Sequence, residues 1–210
     1  MLLSLVSANG ASPHASPYAS LYAGLATAIA QRRAQMGRNV LLLTQCMPDK
    51  QANQYKRPTE NRMWQAREMK IAATIRTVHS DALMAELATA RQTGYDVIAD
   101  LQQAHTDVAL HLLAESHLLV FHVQTALWNR DRQTRMMKCI RAAREKNHSL
   151  PVLFILDDIN SKTGQDLVNE LTRQLHDIRF LLANTSPDLT LASIYKSIFL
   201  PAAVPVSMPA

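Results

Sequence analysis

GYDVIADLQQAHTDVALHLLAESHLLVFHVQ, residues 94–124, decides the fold. Its two ends, 96–101 and 118–124, are short apolar runs that are continuous rather than alternating, the pattern of strands covered on both faces. Between them, 106–116 carries a helical spacing of apolar residues and opens on Thr106 and Asp107, residue types that cap helix N-termini. Strand, helix, strand with so little connecting chain is a parallel βαβ unit.

The same rhythm extends outward. Further strands are expected at 2–7, 39–45 and 152–157, with a shorter sixth at 179–183. Helices are expected at 16–36, stopped by Gly37, and at 130–147. Others are expected at 161–176, with Ser161 or Asn160 as cap, and at 189–200, stopped by Pro201. Residues 60–93 read as one long helix or two, broken near His79, Ser80 and Asp81, and 47–61 as a long loop. Five strand–helix alternations predict an α/β fold: a doubly wound, mainly parallel sheet with helices on both faces. Such sheets bind ligands at the carboxyl ends of their strands, near the switch in strand order. Residues 1–200 are expected as one domain. Residues 201–210, with three prolines, are expected as a flexible tail.

Composition narrows the function. Of 210 residues, 48% are hydrophobic and 19% charged, which excludes a disordered, collagenous or coiled-coil chain. Cys46 and Cys139 form no motif, and with no disulfide framework a reducing cytoplasm is the expected compartment. No apolar run approaches the ~18 residues of a membrane span. Met1-Leu-Leu-Ser-Leu-Val6 lacks the basic start and the length of a signal peptide. There are only five glycines, and they sit singly at 10, 24, 37, 94 and 164. Close backbone approach to a ligand usually demands clustered glycine.

The order of elements resembles the ParA/MinD superfamily of deviant Walker A, P-loop ATPases, and the length is close to its small ParF-type partition members. In that family a first strand leads into KGGxGKST and then a helix of type NLAxxLAxxGxxVLLID. Leu25-Ala-Thr-Ala-Ile-Ala30 is similar to that helix, with about one extra turn before Gly37. Tyr95–Asp100 is similar to the segment that supplies the Walker B aspartate, placing Asp100 in that role. Residues 113–124 are similar to the AADxVLIPV strand, and 152–157 to the strand on the nucleotide side. The resemblance covers roughly residues 1–200 and implies a P-loop NTPase-like, doubly wound fold.

The chemistry departs from the family. The phosphate-loop position reads SANGASPHASPYAS, residues 7–20, with one glycine, two prolines and no lysine. No lysine precedes Lys50 and no arginine precedes Arg32. A P-loop holds phosphate through successive backbone N–H groups and a lysine. Pro13 and Pro17 each remove a donor. Gly10, Ser12, Ser16, Ser20 and Asp100 are therefore expected as the remnant of a nucleotide loop. A plain reading stands beside this: a Ser/Pro/Ala connector whose Ser12 or Ser16 caps the next helix. By the same resemblance, Thr44 and Cys46 stand where the family has aspartates.

The strongest positive signal is a basic helix. Arg130, Arg132, Arg135, Lys138, Arg141, Arg144 and Lys146 face only Asp131 and Glu145, a local excess of five equal to the whole chain's +5. Arg132, Arg135, Lys138, Arg141 and Arg144 recur every third residue, a slowly winding stripe suited to phosphates or an acidic partner. The same stripe is also what the solvated outer face of an α/β helix carries. Residues 50–93 are mildly basic and hold methionine and tryptophan; Trp64, Arg67 and Lys70 are candidates for a partner surface. The eight histidines have no zinc spacing, and no nucleophile motif is present.

Three functions are compatible. The first is a catalytically degenerate ParA/MinD-like protein that acts by binding, positioning or partitioning a plasmid, pilus or secretion assembly. It would have no catalytic residues and no cofactor or metal, a protein partner, possible DNA contact, and any homodimer independent of nucleotide. The second is an active ParA-like ATPase in DNA partition, using ATP and magnesium in an atypical site. The third is a small α/β DNA-binding accessory protein.

Overall fold

Strand β1 (Leu2–Ser7) occupies the middle of the sheet, paired in parallel on both sides. The structure, a computed structural model, describes residues 1–7, 24–45, 63–69, 74–79, 82–101, 107–182 and 187–199. The other strands are β2 (Val40–Gln45), β3 (Met63–Met69), β4 (Thr74–His79), β5 (Asp96–Leu101), β6 (Leu118–Val123), β7 (Val152–Leu156) and β8 (Ile178–Leu182). Their order is β4-β3-β2-β5-β1-β6-β7-β8. All pairings from β2 to β8 are parallel; β3 runs antiparallel to both β2 and β4. The doubly wound, mainly parallel α/β fold expected from the sequence is the fold observed.

The six expected strands all form, each within a residue or two of its expected ends. Their apolar runs are continuous because both faces are covered: every residue of β6 and β7 is buried. Helices α1 (Leu25–Gln35) and α6 (Pro187–Phe199) cover one face. Ile29 and Ile194 there pack on Leu5, Ile98, Val120 and Ile155. Helices α2 (Leu83–Gln92), α3 (Asp107–Ala114), α4 (Arg130–Lys146) and α5 (Lys162–Gln174) cover the other. Leu87, Leu112, Ile140 and Leu167 there pack on Leu43, Val97, Leu119 and Phe154. Phe121, Phe154 and Phe180 stack across β6, β7 and β8 at 5.7 and 5.5 Å. Ser161 caps α5 as expected, its Oγ accepting from Gly164 N at 3.0 Å.

One expectation fails. Residues 60–93 are not helical throughout: among the described residues, Met63–Met69 and Thr74–His79 are the antiparallel strands β3 and β4, and Leu83–Gln92 is helix. Met63–Met69 is rich in helix formers, but here it lies between two strands and pairs with both, from Trp64 against Gln45 to Met69 against Val40. Sheet pairing along a full strand outweighs propensity differences of a few tenths of a kcal/mol per residue. The expected helix 16–36 is helical over Leu25–Gln35. Its first residues, the loop expected at 47–61 and the tail at 201–210 lie outside the described residues.

Candidate functional site

The carboxyl ends of β1, β2, β5, β6 and β7 form the rim where this architecture binds ligands. Successive strand residues alternate faces. Thr44 therefore shares the face of Leu42, Asp100 that of Ile98, and His122 that of Val120, all on the α1 side. In register, Thr44 lies opposite Asp100, Asp100 opposite Leu5, and Ser7 opposite His122. The rim thus presents a hydroxyl, a carboxyl and an imidazole on the α1 side of the sheet.

Burial governs the charge of this set. Loss of solvent pushes the Asp100 carboxyl up to about 6. It pushes His122, 8% exposed, down to about 3, so the imidazole is neutral at physiological pH. Asp157, at the end of β7, binds the turn after β6: its Oδ1 accepts from Thr125 N and Oγ1, both at 2.8 Å. Asp158 Oδ1 accepts from the N–H groups of Asn160 and Ser161, both at 3.0 Å, and shapes the entry to α5.

The hydroxyl, the carboxyl and the neutral imidazole themselves supply no positive charge for a phosphate chain. Among the described residues, the cations that follow the rim most closely in the chain, Arg130, Arg132 and Lys162, begin helices on the opposite face of the sheet. Arg132 is also turned back, donating to Leu127 O. No group of three or more His, Cys, Asp or Glu able to hold a metal occurs among the described residues. Gly10, Ser12, Ser16 and Ser20 lie outside them.

The basic stripe separates into two parts. Arg135, Lys138 and Arg141 are exposed on α4. Arg144 is 8% exposed and structural: its guanidinium donates to Leu150 O at 2.9 and 3.1 Å and to His176 O at 2.7 Å. Arg132 is half-buried. Of the other candidates, Trp64 and Arg67 lie on β3, where Arg67 is half-buried; Lys70 lies outside the described residues.

At the opposite rim, a cleft of ≈ 810 Å³ is lined by Arg38, Arg91, Asp96, Glu115, His117 and Lys146 among others. Asp96 is held by Arg33 at 2.8 Å, by Arg38 at 3.2 Å and by the Met1 ammonium at 3.2 Å. Burial would raise its carboxyl, but these cations outweigh burial and hold it below its usual range. Arg91 pairs with Glu115 at 2.7 Å. Arg91 and Lys146 also stand in the last turns of α2 and α4, where cations offset the helix dipole. Both carboxylates of the cleft are thus paired, and its cations, Met1, Arg38, Arg91 and Lys146, outnumber them. Sequence reasoning missed this cluster, and missed His122 on the same rim face as Asp100, because neither is a motif; both arise from strand register.

No protein-family model matches the chain, and no curated protein sequence matches it. Among solved structures, it is similar to cobyrinic acid a,c-diamide synthase from Mycobacterium smegmatis. The TM-score is 0.54 and the identity 16%, over 94% of this chain and 91% of that one. At that identity the likeness shows the fold alone, and it agrees with the doubly wound, mainly parallel sheet described above. A plasmid partition protein from Borrelia burgdorferi aligns with 12% identity over 92% of this chain and 81% of that one. Its TM-score of 0.41 is too low to define a shared fold.

Proposed function

We propose that the chain is a catalytically degenerate ParA/MinD-like protein that acts by binding, as a positioning, partition or assembly factor for a cargo such as a plasmid, pilus or secretion complex. One observation carries the reading. By the resemblance Asp100 stands where the family has its Walker B carboxylate; burial raises it to about 6, and residues 1–31 supply no lysine or arginine to meet phosphate. A site that turned over nucleotide would need fixed positive charge to offset roughly three to four phosphate charges. Raising a carboxyl by burial supplies none of that positive charge.

The function then rests on surfaces, and the exposed cations of α4 are the first of them. The partner is a protein, and a dimer would not depend on nucleotide. A second reading, an active ATPase, draws on Asp100 alone, which sits at the correct strand end. Phosphate release from millimolar Mg-ATP, with and without duplex DNA, decides between them. The binding reading predicts release at the level of buffer. Release above it that falls in Asp100→Asn overturns the reading.

A further inference from the structure

Folding alters the charge pattern of α4. The sequence carries five basic residues at every third position; in the structure Arg144 turns inward to two carbonyls and Arg132 turns back to Leu127 O. Arg135, Lys138 and Arg141 remain, exposed, and none makes an ion pair among the described residues. At ~1.5 Å per residue they span about 9 Å. At ~100° per residue they sweep about 120° of the helix, and Asp131 and Glu145 fall within that same arc, one turn beyond each end. Both acids are exposed, and neither is in an ion pair among the described residues. The face therefore reads acid, three cations, acid, along about 21 Å. Arg130 and Lys146 lie beside the two acids and leave those ends mixed; the middle is cationic throughout.

A duplex lying along this helix carries one negative charge per ~1.7 Å and would run over both acids. A short acidic segment would not. We infer that the Arg135–Lys138–Arg141 face docks a discrete acidic segment of a partner protein, one to two helical turns of spaced carboxylates, with the mixed ends at Asp131 and Glu145 limiting the length of acidic chain that gains from it. Like-charge juxtaposition of this kind is how interfaces reject wrong partners. The inference rests on the binding reading above, and names the partner's chemistry.

The test uses the full chain, its Arg135→Ala/Lys138→Ala/Arg141→Ala variant and an Asp131→Asn/Glu145→Gln variant. Each is titrated with two probes: a helical peptide bearing three glutamates on one face, and a short DNA duplex. The peptide is expected to shift the amide resonances of residues 134–142 and to lose at least about tenfold in affinity in the triple variant. The duplex is expected to bind more weakly than the peptide at physiological salt, and several-fold more tightly once the two acids are neutralised. Tighter binding of the duplex than the peptide, with a salt slope of about −2.7 that the triple variant abolishes, would make nucleic acid the occupant and overturn the inference. So would a peptide that leaves α4 unperturbed. A chain that binds the peptide yet hydrolyses Mg-ATP contradicts the binding-only reading and leaves the docking face standing.

Discussion

Asp100 and His122 sit two strands apart on one face of the rim, and burial moves them in opposite directions. Asp100 rises to about 6, from an unfolded value of ~3.9. The folded state therefore holds its proton more tightly, and stability falls as pH rises from about 4 to about 6. His122 drops to about 3, from an unfolded value of ~6.5. The unfolded state holds that proton, so this contribution rises with pH over about 3 to 6.5. In the wild type the two slopes oppose each other between pH 4 and 6. Denaturant unfolding at stepped pH separates them: Asp100→Asn is expected to show the rising His122 slope, and to be more stable at pH 7 by up to about 2 kcal/mol. His122→Gln is expected to show the falling slope. A wild-type profile that neither substitution changes would mean that neither group is desolvated. Arg144 tests a different kind of residue. Arg144→Ala strands the Leu150 and His176 carbonyls and is expected to cost about 2–4 kcal/mol, while Arg141→Ala on the same helix stays within about 0.5. Equal thermal shifts for the two would contradict the inward placement of Arg144.

Elements that read as single-purpose patterns were legible, and those whose state depends on a neighbour were not. β5, β6 and β7 are buried at nearly every position because helices cover both their faces, and their apolar runs have one physical explanation. The α5 cap was legible for the same reason: Ser161 precedes an apolar spacing and its Oγ finds the Gly164 N–H. Met63–Met69 was misread because Met, Gln, Ala, Arg and Glu favour helix, and the strand exists through its pairing with β2 and β4. Thr74–His79 carried a strand signal in Thr74, Ile75, Thr77 and Val78, which the helical reading of its surroundings overrode. At the candidate site, Asp100 was legible as a carboxyl at a strand end. Its neutral environment was not, since burial depends on what packs above the rim. The inward turn of Arg144 was hidden because a stripe counted every third residue ignores where the helix meets the sheet. Gly164, one of the isolated glycines, proves to be a packing requirement. A Cβ there would lie 2.1 Å from the Asp158 carbonyl oxygen. Gly164→Ala is expected to lower stability by about 1–3 kcal/mol in thermal unfolding, and a neutral result would mean that α5 can shift away at no cost.

At the scale of the whole molecule, a sheet of order β4-β3-β2-β5-β1-β6-β7-β8 places β1 at the switch between chain directions, with its carboxyl end beside those of β5 and β6. Among the described residues, that rim carries a half-buried carboxyl, a neutral imidazole and a threonine. No helix among the described residues is long and apolar enough to cross a membrane. The scarcity of glycine and the lack of lysine and arginine in residues 1–31 support the proposal of a molecule that acts by binding. Calorimetric titration of the full chain with Mg-ATP at millimolar nucleotide tests this most directly. The account predicts no saturable heat, in the wild type and in Asp100→Ala alike; saturable binding that Asp100→Ala abolishes would contradict it.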